Sequence, residues 1–400
     1  MTLPIQDTPR PTLNFTATER SVVGVLAGIY TTRMLGLFLF LPVLSLYVAQ
    51  LPGTTPRQVG LAMGAYPLVQ AALQIPFGRW SDRYGRRPVI VLGLVMFLLG
   101  SIVGALTTTL AGVIAGRAIQ GAGAISAAIT ALLADHTRDA LRTRAMAFIG
   151  ISIGASFVIS LAAAPALDSA IGVRGIFWVM ALMAAMGLAL LRWGMPMQLA
   201  STERKQTVNT SLLRVAVLPQ LRGYFMGVFA LHFILSATFL SVPQILVHVL
   251  GIAETDHWRV YLGVFLVSLL GTYGLIRSVE RTAHPHRLML ATIVVAAGAQ
   301  ASLYVFNSSL WPMLAVFTVF FAMFNFLETR LPAALSKAAP GSDRGAALGV
   351  FATLQSLGSF CGPVIGGQVA SRYGYGGVFW LSAGVGLAWA VAAAATGREA

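Results

Sequence analysis

Runs of about 20 apolar residues, parted by short polar gaps, fill the sequence from residue 21 to residue 396. A helix crossing a bilayer needs about 20 mostly apolar residues. The pattern predicts twelve such helices, at 21–50, 57–78, 88–108, 110–134, 145–167, 172–194, 223–250, 258–279, 288–308, 310–336, 346–370 and 374–396. The expected fold class is an all-α membrane protein. The gaps leave no room for a sizeable soluble domain. Residues 1–20 hold Asp7, Glu19 and three prolines, so they do not read as a cleaved leader.

Self-similarity divides the chain in two. Phe38, Leu39 and Pro42 recur as Phe239, Leu240 and Pro243, 201 positions on. Gly172, Gly175, Phe177 and Trp178 recur as Gly374, Gly377, Phe379 and Trp380, 202 positions on. Arg144 and Ala147 recur as Arg344 and Ala347. The expected architecture is two six-helix bundles, 1–194 and 223–400, with pseudo-two-fold symmetry and a cytoplasmic linker at 195–222. Parallel repeats of this kind place a substrate path between the halves near the bilayer midplane.

Composition agrees with the pattern. Of the 400 residues, 57% are hydrophobic and 10% are charged, where a soluble protein carries about 25% charged. A net charge of +14 could suggest nucleic acid, but its distribution argues against that partner. The span map puts 20 of the 27 Lys and Arg on the side of both termini, 4 on the other side and 3 within spans. That bias predicts cytoplasmic termini. Cys361 is the single cysteine, which rules out a disulfide within one chain and a thiolate zinc site.

The link after the second span reads Gly78-Arg79-Trp80-Ser81-Asp82-Arg83-Tyr84-Gly85-Arg86-Arg87-Pro88. Gly78 and Gly85 permit close approach and a turn, and Pro88 suits the first turn of a helix. Asp82 is surrounded by arginines. The stretch resembles the signature of the major facilitator superfamily. Arg117-Ala118-Ile119-Gln120-Gly121-Ala122-Gly123 is similar to the family's fourth-helix pattern. Gly358, Gly362, Pro363, Gly366 and Gly367 have the spacing of the antiporter motif. Here that motif lies in the eleventh span instead of the fifth. The resemblance implies a twelve-span drug:proton antiporter of the multidrug efflux branch, with Asp82 docking near the start of the eleventh helix. Asp135 is an expected partner for Arg83 or Arg86. Gly78, Asp82, Arg83, Gly85, Arg86, Arg87 and Asp135 then form a conformational gate.

Ionisable groups inside spans are costly and usually functional. Arg33, Arg117, Glu328, Arg330 and His232 qualify, and Gln70, Gln74, Gln244, Asn325 and Gln355 add polar atoms. Desolvation penalises the ionised form of a carboxyl group, which suits Glu328 to exchange a proton. Glu328 is the leading proton carrier, His232 the second and Asp135 the third. The residue equivalent to Glu328 in the first half is Ser126, so the embedded charges are not part of the shared scaffold. The expected coupling and substrate residues are Glu328, Arg33, Arg117, His232, Gln120 and Asn325. The arginines outnumber the acid, so an anionic or zwitterionic substrate fits as well as a cationic one. Phe38, Phe40, Tyr66, Phe233, Phe239, Phe324 and Phe326 could line an adaptable cavity.

The expected function is proton-coupled efflux of a small amphipathic compound by alternating access. A symporter or passive facilitator for an anionic or zwitterionic solute, and a non-transporting membrane sensor, remain open. No phosphate loop, nucleophile elbow or metal cluster points to an enzyme. No cofactor is expected beyond the proton as coupling ion. The expected partners are a small-molecule substrate and the lipid bilayer. The expected setting is a bacterial-type inner membrane, with the chain as a monomer.

Overall fold

A computed structural model describes residues 14–195, 212–340 and 343–396. Residues 196–211 of the expected linker lie outside the described residues. Every regular element among the described residues is helical. The helices are α1 (Ala17–Phe38), α2 (Leu44–Ala49), α3 (Pro56–Tyr84), α4 (Arg86–Leu106), α5 (Leu110–Gly121), α6 (Ser126–Asp135), α7 (Asp139–Ala189), α8 (Leu212–Ala216), α9 (Pro219–His248), α10 (His257–Arg281), α11 (Pro285–Phe306), α12 (Leu310–Ala338) and α13 (Arg344–Thr396).

Twelve crossings result among the described residues, although the helices and the predicted spans do not map one to one. The first span is broken between α1 and α2, where Pro42 lacks the amide proton a continuous helix would need. The fourth is broken between α5 and α6, across Ala122–Ile125. Conversely, α7 and α13 each hold two crossings. They reverse at Gly172 (φ 67°) and Gly374 (φ 71°), a left-handed conformation that glycine adopts without penalty. These two glycines are equivalent in the repeat, so the duplicated sequence carries a duplicated turn.

Starts of helices are written locally. Thr16 accepts from the Glu19 amide (3.2 Å) and Glu19 returns to the Thr16 amide (2.9 Å), a capping box that opens α1. Thr55 and Gln58 open α3 in the same way, with Pro56 in its first turn.

We call the side holding residues 14 and 396 the terminal face and the opposite side the far face. One apolar cluster runs through both halves and includes Phe40, Phe157, Phe239, Phe265 and Phe321. A second cluster, with Val22, Leu26, Ile90 and Ile129, belongs to the first half alone and lies toward the terminal face. Contacts between halves gather from mid-depth to the far face. Phe157 meets Phe265 and Phe321 at 5.5 and 6.4 Å between ring centroids. The Gln244 amide donates to the Ser45 carbonyl (2.8 Å), and Gln50 donates to Glu254 (3.1 Å). On α3, Gly60 lies directly against the Pro363 carbonyl of α13, and Gly367 lies against the Pro56 carbonyl. The molecule is therefore closed at its far face.

Candidate functional site

The embedded polar residues form two clusters, one in each half. The first is built around Arg33, which is 2% exposed. By helical rise it sits about 24 Å along α1, near mid-depth, so it does not snorkel. The break between α5 and α6 explains its position, because the Gly123 carbonyl is released there from the helical ladder. Arg33 Nε donates to it (3.1 Å), while its other nitrogens reach Ser126 Oγ (2.7 Å) and the Tyr66 hydroxyl (3.3 Å). Arg117, 4% exposed, lies over the rings of Phe40 (4.9 Å) and Tyr66 (4.7 Å). It donates to Gln120 Oε1 (3.1 Å), and Gln120 donates onward to Ser101 (2.8 Å). Tyr66 joins the two cations, one through its hydroxyl and one through its ring. No carboxylate pairs with either among the described residues.

The second cluster lies between α9, α12 and α13. His232 Nδ1 must donate to the Val228 carbonyl (3.1 Å), since a carbonyl can only accept. Its Nε2 faces Glu328 Oε2 (3.5 Å) and the Gln355 side-chain amide (2.7 Å). Gln355 also reaches Glu328 Oε1 (3.5 Å). The neutral ring accepts from Gln355; the protonated ring faces the carboxylate as an ion pair. The Glu328 side chain is 39% exposed, which corrects the expectation of a dry carboxyl group. The carboxylate meets solvent, and the ring behind it is buried.

The expected coupling and substrate residues thus fall into two clusters. No hydrogen bond or ion pair joins the two clusters among the described residues. Asn325 lies near Glu328 in sequence but spends its amide on Ser268 of α10 (3.1 Å), so it braces two helices. Ser126 and Glu328 are equivalent in the repeat, and each half has placed a different group there: an acceptor for a cation in one, a titratable acid in the other. Sequence reading missed Gln355 as a partner and Tyr66 as a bridge. Their only signal was a polar group in an apolar run.

At the terminal face, Gly85 turns the chain between α3 and α4 (φ 97°). Asp82 pairs with Arg86, which also reaches Asp135 (3.3 Å) and Ser81 (2.8 Å). Asp135 therefore partners Arg86, while Arg83 lies over the Tyr84 ring (5.3 Å). The implied contact of Asp82 with the start of α13 is not made among the described residues, because the closed face is the other one. Gly78 is corrected too: a side chain there would meet open space, so no close approach requires glycine. The antiporter-motif glycines do pack. Gly358 and Gly362 lie on the Phe229 and Phe233 carbonyls of α9, and Gly366 lies against the Leu240 side chain. Gly367 turns to α3 instead.

The profile of the Major Facilitator Superfamily matches residues 26–281 and 277–399. The inner membrane transport protein YajR of Escherichia coli is 36% identical over 373 residues, 93% of this chain and 82% of that protein. Multidrug resistance protein 2 of Bacillus subtilis is 26% identical, over 87% of this chain and 88% of its own. Among solved structures, a bacterial homologue of the human lysosomal transporter Spinster, inward-facing and occupied, superposes with a TM-score of 0.74 at 14% identity, covering 96% of this chain and 97% of its own. A D-xylose–proton symporter superposes at 0.73 and 16% identity, covering 94% and 96%. With family matches running from residue 26 to residue 399 and a relative 36% identical over 93% of this chain, the chain belongs to the Major Facilitator Superfamily of membrane transporters.

Proposed function

We propose that the chain is a proton-coupled exporter, moving a small amphipathic compound outward as protons enter. The observation that carries this is the pairing of Glu328 with His232, a half-exposed carboxylate and a buried imidazole in a half whose repeat partner has only Ser126 there. A proton arriving at Glu328 neutralises a charge at the boundary between water and protein, or passes to His232 Nε2 and displaces the Gln355 amide. Either event changes the cost of closing water out of the cleft. Coupling then needs only that substrate and proton favour opposite states. Bacillus subtilis relatives named for multidrug resistance support the export reading.

The second reading is carriage of an anionic or zwitterionic solute. The observation favouring it is the pair Arg33 and Arg117, two buried cations with no carboxylate paired to either among the described residues. In both readings the terminal face is cytoplasmic, since it carries the excess of arginine. The membrane is then the inner one, and one chain supplies the whole path. Asp82 acts in the gate by exchanging Arg86 for the amides at the start of α13 when the terminal face closes. Asp82→Asn is expected to leave that face more accessible to a soluble thiol reagent in cysteine-labelled protein. Unchanged labelling and transport would exclude the exchange.

The test is purified protein in proteoliposomes with an imposed pH gradient and a panel of compounds. Wild type is expected to couple export to proton entry. Glu328→Gln is expected to reduce gradient-driven flux to background while retaining counterflow exchange of the same compound. Gradient-driven flux at the wild-type rate in that variant would remove Glu328 as the carrier.

A further inference from the structure

The far-face seam holds a second group of ionisable side chains, outside both clusters. A cavity of about 180 Å³ opens there between the halves, lined by Tyr47, Gln50, Asp168, Glu254 and Thr255 among others. Asp168 belongs to the first half, in the turn between the fifth and sixth spans. Glu254 belongs to the second half, in the short turn of helix (Glu254–Asp256) before α10. Gln50 of the first half donates to Glu254 (3.1 Å), a hydrogen bond that crosses the seam.

We propose that Asp168 and Glu254 form an extracytoplasmic proton-binding site whose occupancy holds the far face shut. Two carboxylates from opposite halves face one cavity, so closing the seam brings like charges together unless one takes up a proton. The surrounding charges do not relieve this. Arg174, across Gly172 on the same helix, gives its Nε to the Ala105 carbonyl (2.9 Å), and no ion pair joins it to Asp168 among the described residues. Asp256 is engaged by Arg259 (3.1 Å). His257 is 1% exposed, with its ring against Tyr261 (5.9 Å). Tyr47, from α2, contributes a phenol. Burial first, and the Glu254 charge second, push the Asp168 carboxyl up to about 6, against a hydrogen bond from the Val173 amide.

The repeat removes the simplest structural explanation for the acid. Asp168 caps the amide of Val173 beyond the Gly172 turn, and so could be needed to build that turn. Its equivalent in the second half is Ala370, yet Gly374 adopts the same turn. The position equivalent to Glu254 in the first half is Gly53. The acids are additions to the scaffold at the far-face seam between the halves.

The sign follows from the raised value. A carboxyl group that titrates higher when the seam is closed favours closure as pH falls. That contribution is complete below the ordinary aspartate value of about 4 and is lost as pH rises through about 6. Between pH 7.5 and pH 5 the ratio of closed to open far face should rise about tenfold.

Spin labels at Thr108→Cys and Ser308→Cys, in a Cys361→Ser background, report the far-face separation between halves by pulsed electron resonance in lipid nanodiscs. Without substrate, wild type is expected to show the short distance at pH 5 and a growing long-distance population at pH 7.5. Asp168→Asn is expected to keep the short distance at both pH values, and Glu254→Gln, which leaves the effect of burial on Asp168 in place, to give a smaller pH response than wild type. A wild type that does not respond to pH, or variants that respond as wild type does, would overturn the proposal. It rests on the alternating-access reading, but the measurement requires neither a transported compound nor a working Glu328. Loss of gradient-driven flux and loss of this pH response are therefore separate failures.

Discussion

Gly60→Leu is expected to yield a folded protein that no longer closes its far face and no longer transports. The first side-chain carbon at this position would collide with the Pro363 carbonyl oxygen of α13, with the Gly367 Cα 3.3 Å away. Both obstacles are backbone, so no rotamer change relieves them. Membrane helices associate through such small-residue contacts, where the absence of a side chain lets backbones touch. Overpacking costs about 1–3 kcal/mol or more. Applied to an equilibrium between two states, that shifts their ratio by about 5- to 150-fold toward the state with a parted seam. The contact lies between the halves, so each bundle keeps its own packing and the protein still accumulates in the membrane. Gly362→Leu is the contrasting control: it collides with the Phe233 carbonyl inside the second half and should impair folding itself. Far-face spin-label distances in Gly60→Leu should lengthen at every pH. Wild-type transport with unchanged distances would mean that this contact does not govern closure.

Arg33→Met is expected to destabilise the first half by about 3 kcal/mol, the sum of opposing terms. Hydrogen bonds to charged groups contribute about 1.5–3 kcal/mol each, and a buried acceptor left unpaired costs about 1–3 kcal/mol. Arg33 makes three such bonds; without it the Gly123 carbonyl keeps the Ile125 amide (2.8 Å) in the break of the fourth span, while the buried Tyr66 hydroxyl loses the bond it accepts. Against this, a desolvated cation with no carboxylate is itself expensive, and methionine removes that cost. Arg33→Lys should not restore stability, since one ammonium cannot span Gly123, Ser126 and Tyr66 as a planar fork does. Thermal unfolding of the purified protein, followed by helical circular dichroism, reads the result. A methionine variant as stable as wild type would mean that the burial cost dominates, and that Arg33 is kept for what it binds.

Much of this was legible along the chain. Apolar runs marked the crossings, and the repeat paired Gly172 with Gly374, the two positions at which the structure reverses the chain. Pairing was less legible. The sequence spacing of Asn325 and Glu328 suggested one site, whereas the helix surface turns their side chains toward different neighbours, Ser268 and His232. Gln355, 123 residues from His232, could not be assigned to it from any local pattern. Gly78 looked like a close-approach position and is not, because a motif records residue type and not the distance to the next helix.

By itself the sequence determined the bilayer as solvent, the number of crossings, the twofold construction and the side on which arginine collects. Those properties follow from composition and period, which act locally on each segment as it meets water or lipid. Only the tertiary structure decided which polar groups share a cluster, where the first and fourth spans break, and which face is shut. These depend on contacts between residues far apart in the chain, where a carbonyl freed by one helix break becomes the partner of an arginine 90 positions away.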